Sequence, residues 1–276
     1  MILVNGEVVD QIPVNDRGFQ YGDGLFETIE IFEGRPVFLE HHLQRLRTGC
    51  SSLKIPFFSD KQLTDDIHRV SHQAKHAVLK IIVTRGIGGR GYRQPKVLQA
   101  TRVVSLHPFP DYPFNFPNQG INTRFCTTRL GLNPSIAGIK HLNRLEQVMA
   151  RSEWDDLEIQ EGIMLDITDN VIEGTMANLM YVKNDTVYTD KLQFAGVKGV
   201  MREVLKNLIA DHHLTLVEHS YRKEALLAAE EVFVCNSIIG IWPIKKIDDV
   251  NFSVGKITSQ LQKWLTQLKE KAHLND

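Results

Sequence analysis

The stretch Gly138-Ile139-Lys140-His141-Leu142-Asn143-Arg144-Leu145-Glu146 lies near the middle of the 276-residue chain, and Ile172-Glu173-Gly174-Thr175-Met176-Ala177-Asn178 follows it, with Glu173 33 residues after Lys140. The first stretch opens a helical pattern: from His141 to Arg151, the apolar Leu142, Leu145, Val148 and Met149 share one face. A lysine at a loop-to-helix junction can point into a cleft instead of lying along a solvated face. The second stretch sets Glu173 in a short turn ahead of a strand at Leu179 to Val182, where the strand edge can present its carboxylate. A lone lysine or glutamate is ordinarily a solvated surface residue, so the pair carries meaning only with supporting residues elsewhere.

Working outward, Gly162 to Leu165 and Thr186 to Tyr188 read as short strands, and Val200 to Ala210 as a helix with Val204, Leu205, Leu208 and Ile209 apolar. A strand at Glu231 to Cys235 ends at Asn236-Ser237, and Val254 to Lys269 forms a closing helix. Upstream, Met1 to Val4 and Thr28 to Phe32 are strand-like, Phe38 to Ser52 and Leu63 to His76 helical, and Val78 to Thr84 and Arg102 to Leu106 strands. The first of those last two strands runs into the glycine-rich loop Gly86 to Gly91. Four prolines between Pro108 and Pro117 block a continuous helix or central strand and mark a boundary. The expected organisation is a smaller domain at 1–107, a linker at 108–117 and a larger domain at 118–276 that carries Lys140. Strands and helices alternate too irregularly for a doubly wound sheet, so both domains read as α+β.

Composition narrows the function. Hydrophobic residues make up 42% and charged residues 24%, with a formal net charge of −1, which gives no global reason to expect a nucleic-acid partner. Cys50, Cys126 and Cys235 are few and odd in number, which fits a reducing compartment, and the cytoplasm is the expected address. The amino terminus reads as a strand instead of a signal peptide, and no apolar run is long enough to cross a membrane. His72 and His76 stand four apart but lack further ligands at metal spacing, so no metal is expected.

The segments Arg129-Leu130-Gly131-Leu132-Asn133-Pro134 and Lys140 through Val148 resemble the lysine segment of fold-type IV pyridoxal-phosphate enzymes, and among these the aminodeoxychorismate lyases. Asp16-Arg17, Gly22-Asp23-Gly24-Leu25-Phe26-Glu27-Thr28 and Arg85 through Tyr92 extend the likeness over nearly the whole chain. The resemblance implies an α+β, two-domain fold of the D-amino acid aminotransferase type with pyridoxal 5'-phosphate as cofactor. Lys140 is then the Schiff-base lysine, and Glu173 pairs with the pyridine nitrogen, favouring its protonated form and strengthening the ring as an electron sink. The turn Gly196-Val197-Lys198-Gly199-Val200-Met201 resembles the family's phosphate cradle, with the backbone amides of Val200 and Met201 as contacts. Arg45 matches the family's phosphate-binding arginine, Asn236 and Ser237 its remaining phosphate contact, and Asn178 supports the site.

The activity implied by the resemblance is elimination from 4-amino-4-deoxychorismate to 4-aminobenzoate and pyruvate, a cytosolic step toward folate. Lys140 would serve as the base once its amine is displaced. A substrate with two carboxylates calls for cationic or multiply donating groups, and Thr28, Arg90, Tyr92, Asn143 and Arg144 are the candidates by position. The partners implied are a small-molecule substrate and a second copy of the chain in a homodimer. A branched-chain or D-amino acid aminotransferase would use the same lysine, glutamate and phosphate cup. A cofactor-free binding protein on the same fold is the reading from another class, and the intact Lys140 and Glu173 argue against it.

Overall fold

Two folded units emerge in the computed structural model, which describes residues 1–89, 91–94 and 96–274. The first comprises Met1–Asp111 together with Ile139–Asn143, the second Tyr112–Gly138 together with Arg144–Asp276. The division falls inside the proline-rich stretch, but the sequence-based placement of Lys140 needs correction, because its segment folds with the first unit.

In the first unit β1 (Ile2–Val4), β2 (Glu7–Val8), α1 (Arg17–Tyr21), β3 (Gly24–Phe32), β4 (Arg35–Pro36), α2 (Leu39–Leu53), α3 (Asp60–Ser71), β5 (His76–Thr84) and β6 (Thr101–Pro108) follow in order. The strands form one antiparallel sheet, β2-β1-β6-β5-β3-β4. Alternation sorts its faces: Leu25, Ile29 and Ile31 of β3 and Leu79, Ile81 and Val83 of β5 turn inward and pack with Leu43, Leu46 and Cys50 of α2 and Leu63, Ile67 and Val70 of α3. Each such buried side chain contributes roughly 1.5–3 kcal/mol. Glu27 stands at an inward position of β3, between Leu25 and Ile29, and is likewise buried.

Helix α3 begins earlier than hydrophobic spacing suggests because Ser59 and Gln62 form a capping box at its start. It stops at Ser71 because the chain enters β5 at His76. Strand β6 runs on to Pro108, which pairs with Ala77 at the end of the ladder, a position where a missing N–H is tolerated. The Ile139–Asn143 segment joins the start of β3 as a short extra strand: Phe26 N–H donates to the Lys140 carbonyl at 3.1 Å, and Leu142 N–H to the Gly24 carbonyl at 3.0 Å. Lys140 is therefore held by a β-type ladder, and the helix after it starts only at Leu145.

The second unit contains α4 (Phe116–Gln119), β7 (Ile121–Leu130), α5 (Leu145–Arg151), β8 (Glu161–Asp166), β9 (Val171–Gly174), β10 (Asn178–Lys183), β11 (Thr186–Thr189), α6 (Val200–Asp211), β12 (Thr215–Glu218), α7 (Lys223–Leu227), β13 (Glu231–Asn236), β14 (Gly240–Ile247), β15 (Val250–Asn251) and α8 (Lys256–Leu274). Its mixed sheet runs β12-β11-β10-β13-β14-β7-β8-β9, and β9 pairs back onto β10 through Glu173 opposite Asn178. That single pair closes β10, β13, β14, β7, β8 and β9 into a ring, so neither β9 nor β10 is left as an open edge. Ile121, Ile163, Leu165, Leu179, Val232, Val234 and Ile244 fill the core, with Trp242 packed against Tyr112 and Phe116. Leu145, Val148 and Met149 of α5, which share an apolar stripe, are solvent-exposed on the single chain instead of joining this core. Among the described residues no helix is long and apolar enough to cross a membrane, and no group of three His, Cys, Asp or Glu could hold a metal ion.

Candidate active site

The first unit contains Lys140, the predicted Schiff-base lysine. With its backbone fixed against β3, Lys140 is half-buried and its Nζ lies 4.4 Å from the centroid of the Phe26 ring, within cation–π range. Thr28, two residues beyond Phe26 on the same face of β3, pairs with Lys80 of β5. Arg45, one turn after His42 on α2, grips Glu27 with both sides of a fork: Nε donates to Oε1 at 2.8 Å and Nη2 to Oε2 at 2.5 Å. His42 Nδ1 meets the same Oε2 at 2.6 Å. Burial alone would raise the Glu27 carboxyl, but the Arg45 charge and the His42 hydrogen bond outweigh it and hold the group at about 2. Burial also lowers His42 from its ordinary value, more than Glu27 raises it, so the imidazole is neutral near pH 7.

The glycine-rich loop is tied down in the same unit. Arg17 Nη1 donates to the Gly91 carbonyl at 3.0 Å and Nη2 to the Tyr92 carbonyl at 3.4 Å. Its Nε donates to Asp23, which also receives Nε and Nη2 of Arg85. Burial would raise Asp23, but the two guanidiniums bring it below the usual carboxylate range. Tyr92 is exposed, with its ring against Tyr21, and Asn143 donates from Nδ2 to the Gly22 carbonyl at 3.0 Å. Arg90 lies outside the described residues.

The second unit contains Glu173, the predicted acid, and the turn that starts α6. Glu173, at the closing pair of the ring, is buried, and its Oε2 accepts from Val197 N–H at 2.9 Å and Asn178 Nδ2 at 3.2 Å. Asn178 in turn donates to the Val197 carbonyl at 2.8 Å and accepts from Gly199 N–H at 3.1 Å. One amide thus connects the Glu173 carboxylate to the turn that starts α6. At Gly199 an added Cβ would come within 2.0 Å of Asn178 Oδ1, so only glycine allows this approach. Gly196, at φ +80°, makes the turn itself.

Helix α6 has no side-chain cap at Gly199, so the N–H groups of Val200 and Met201 are first-turn donors of the kind that bind anions. Arg144, at the start of α5, is lowered by burial, while Glu173 and Glu146 raise it, which puts it within electrostatic reach of the Glu173 carboxylate. Asn236 has local partners of its own. Its Oδ1 accepts from Ile238 and Ile239 N–H at 2.8 and 2.9 Å and its Nδ2 donates to the Met176 carbonyl. Its amide builds the turn on which Ser237 sits.

Sequence reading passes over Glu27 and Glu161, which are buried, and Asp23, which is half-buried. Glu27 was quoted only as part of a turn-like motif, though a charged residue at an inward position of an alternating strand is a signal in itself. Asp23 organises two arginines. Glu161 accepts from Gly162 N–H, Thr175 N–H and Oγ1 and Met176 N–H, shaping the turn between Glu173 and Asn178, and burial raises its carboxyl above the ordinary value.

A lysine with a nearby aromatic ring, a carboxylate locked by an amide, and an uncapped helix start beside that amide match a phosphorylated pyridine aldehyde as donor and acceptor set. The amino-transferase class IV family model matches residues 24–247, and the chain belongs to that family, whose members depend on pyridoxal 5'-phosphate. Over 266 residues the chain is 36% identical to the aminodeoxychorismate lyase of Vibrio harveyi, covering 95% of this chain and 98% of that one. It is also similar to the crystal structure of 4-amino-4-deoxychorismate lyase from Pseudomonas aeruginosa, with a TM-score of 0.94, 41% identity, and 97% and 98% of the two chains covered. The branched-chain amino acid aminotransferase of Escherichia coli shares the fold at a TM-score of 0.86 and 24% identity, over 97% of this chain and 93% of that one. The fold-type IV architecture expected from the lysine and glutamate motifs is thus the one found.

Proposed function

We propose that this chain is a pyridoxal-phosphate-dependent lyase that converts 4-amino-4-deoxychorismate to 4-aminobenzoate and pyruvate. The observation that carries the reading is 36–41% identity across nearly the full length to lyases of that substrate, joined to an intact lysine, acid and cradle. When bound, the cofactor supplies an electron sink that accepts the electron pair left at the carbon bearing the substrate amine. Lys140 would hold the cofactor, and its Nζ would take the proton from that carbon. Glu173 would face the ring nitrogen and favour its protonated form, with Asn178 holding the carboxylate in place. Val200 and Met201 N–H would bind the phosphate together with Arg45 and Ser237. Thr28, Arg90, Tyr92, Asn143 and Arg144 select the substrate. Loss of the enolpyruvyl group leaves an aromatic ring, so no second amino acceptor is needed.

The working form in this reading is a homodimer in the cytoplasm. The exposed apolar Leu145, Val148 and Met149 of α5 support a partner surface, and the buried, unpaired cysteines suit a reducing compartment. Purified protein incubated with 4-amino-4-deoxychorismate is expected to release 4-aminobenzoate and pyruvate in equal amounts. Rapid, complete conversion of D-alanine and 2-oxoglutarate to glutamate, with no 4-aminobenzoate from the chorismate, would instead make it an aminotransferase.

A further inference from the structure

We propose that Glu27 is a positioning residue that acts through Arg45 to aim its guanidinium at the cofactor phosphate, with His42 fixing Glu27 in turn. The inference rests on the reading of Arg45 as a phosphate contact and adds to it the residues that make that contact directional. Glu27 and His42 are both buried, at 1% and 0% exposure, while Arg45 is only partly so, with 15% of its side chain accessible. The inner members of the trio therefore have no route to a ligand of their own, and only Arg45 reaches outward.

The geometry explains what the inner pair does. Glu27 takes Nε and Nη2, the side edge of the guanidinium, and a two-point contact on a planar fork fixes the plane and direction of the end edge. A single contact would leave the fork free to rotate about it. His42 Nδ1, bonded to Glu27 Oε2, holds the carboxylate against rotation, while His42 Nε2 is buried and makes no hydrogen bond to the protein. Such an orphan acceptor costs about 1–3 kcal/mol, so orienting Glu27 is the compensating use of the ring that the structure offers. Around the trio, Lys140 is the further charge that acts on His42, and Leu25, Ile29, Leu43 and Leu46 form the apolar surroundings. Burial of Glu27 and His42 keeps water from competing for the carboxylate that grips the fork.

A purely structural ion pair would stabilise the unit without discriminating between ligands, and the phosphate itself supplies the test. The full-length chain, freed of cofactor, is titrated with pyridoxal 5'-phosphate and with pyridoxal, and the ratio of the two affinities is read for each variant, with thermal melting as a check on folding. Glu27→Gln keeps the shape but presents a donor to a donor. It is expected to lower affinity for the phosphorylated form by on the order of tenfold or more while leaving pyridoxal within about twofold. Arg45→Gln is expected to lower the ratio similarly, and the double variant to lower it no further. Equal losses for both ligands in Glu27→Gln, or additive losses in the double variant, would overturn the proposal. An unchanged ratio in Arg45→Gln would remove Arg45 from the phosphate site and the proposal with it. A changed ratio there, with none in Glu27→Gln, would remove the proposal alone. Should Glu27→Gln not fold, His42→Leu reads the same ratio: a selective fall supports the positioning role, and an unchanged ratio or an equal fall contradicts it.

Discussion

The first unit fixes Arg45 through an ion pair to Glu27, whereas the second orients Glu173 through hydrogen bonds from neutral groups, with the charge of Arg144 also acting on it. Glu27 and Arg45 form an ion pair that the neutral His42 supports, and Glu27 is held ionised by the opposite charge beside it. Glu173 is held by a backbone N–H and the neutral amide of Asn178, which also ties it to the start of α6. The difference follows from what each group must present. Arg45 carries a permanent charge whose direction needs fixing, and a carboxylate grips a planar fork at two points. In the proposed role Glu173 offers its negative charge to a ring nitrogen, and Val197 N–H and Asn178 fix its direction while Arg144 acts on it through charge.

Substitutions can break either half of this comparison. Lys140→Ala removes both the attachment point and the proton carrier, and is expected to reduce turnover by at least roughly a thousandfold and to abolish the borohydride-reducible linkage. Residual activity near wild type would mean that another amine does this work. Glu173→Gln keeps the Val197 and Asn178 contacts within reach but cannot supply an anion. It should lower kcat on the order of a hundredfold with a shifted visible band, while melting temperature changes little. A large fall in melting temperature with normal kcat would show that Glu173 is structural.

Acid titration sharpens the contrast, because Glu27 in the first unit and Glu161 in the second shift in opposite directions. Glu27 lies below its ordinary 4.5, so its contribution is present above that value and is lost as pH falls toward about 2. The shift corresponds to on the order of 3 kcal/mol. Glu161 is raised, so its contribution is complete below 4.5 and is lost as pH rises through its folded value. Urea unfolding as a function of pH should therefore lose its low-pH slope in Glu27→Gln and show a flatter curve above pH 4.5 in Glu161→Gln. Matching curves for the two variants would contradict the assignment.

Asn178→Ala leaves Glu173 Oε2 and Gly199 N–H each short of a partner and should cost about 1–3 kcal/mol by denaturant unfolding, with weaker cofactor binding. No change in cofactor affinity would separate the amide from the site. The smallest effect is expected at Ser59→Ala, where loss of the α3 cap costs about 1 kcal/mol and leaves turnover unchanged.

Much of the candidate site is proposed from sequence alone because its motifs are local. Lys140, Glu173, Asn178 and the Gly196 to Met201 turn are each short runs whose chemistry a sequence displays, and the helix at Val200 and the strands at Leu179 and Glu231 were legible from apolar spacing. What stayed hidden depends on partners distant in sequence. The Ile139–Asn143 segment reads as a helix entrance because Leu142 continues the apolar pattern of α5, but Phe26 and Gly24 capture its backbone more than a hundred residues away. Leu145, Val148 and Met149 show the right periodicity for a core, yet periodicity reports an apolar face and not what covers it. The strands β7 and β14 escaped because Asn122, Thr123 and Arg124 in one, and Pro243, Lys245 and Lys246 in the other, interrupt any clear alternation. Glu27 was visible as a residue, but its role required knowing that β3 turns it inward to meet α2.

Peptide mapping after borohydride reduction of the cofactor-loaded protein tests most directly whether the two units serve one cofactor through Lys140. Stable pyridoxyl mass is expected on the peptide containing Lys140 and nowhere else, disappearing in Lys140→Ala. Label on a different lysine, such as Lys80 or Lys198, or no label on a protein that still makes 4-aminobenzoate, would contradict the account.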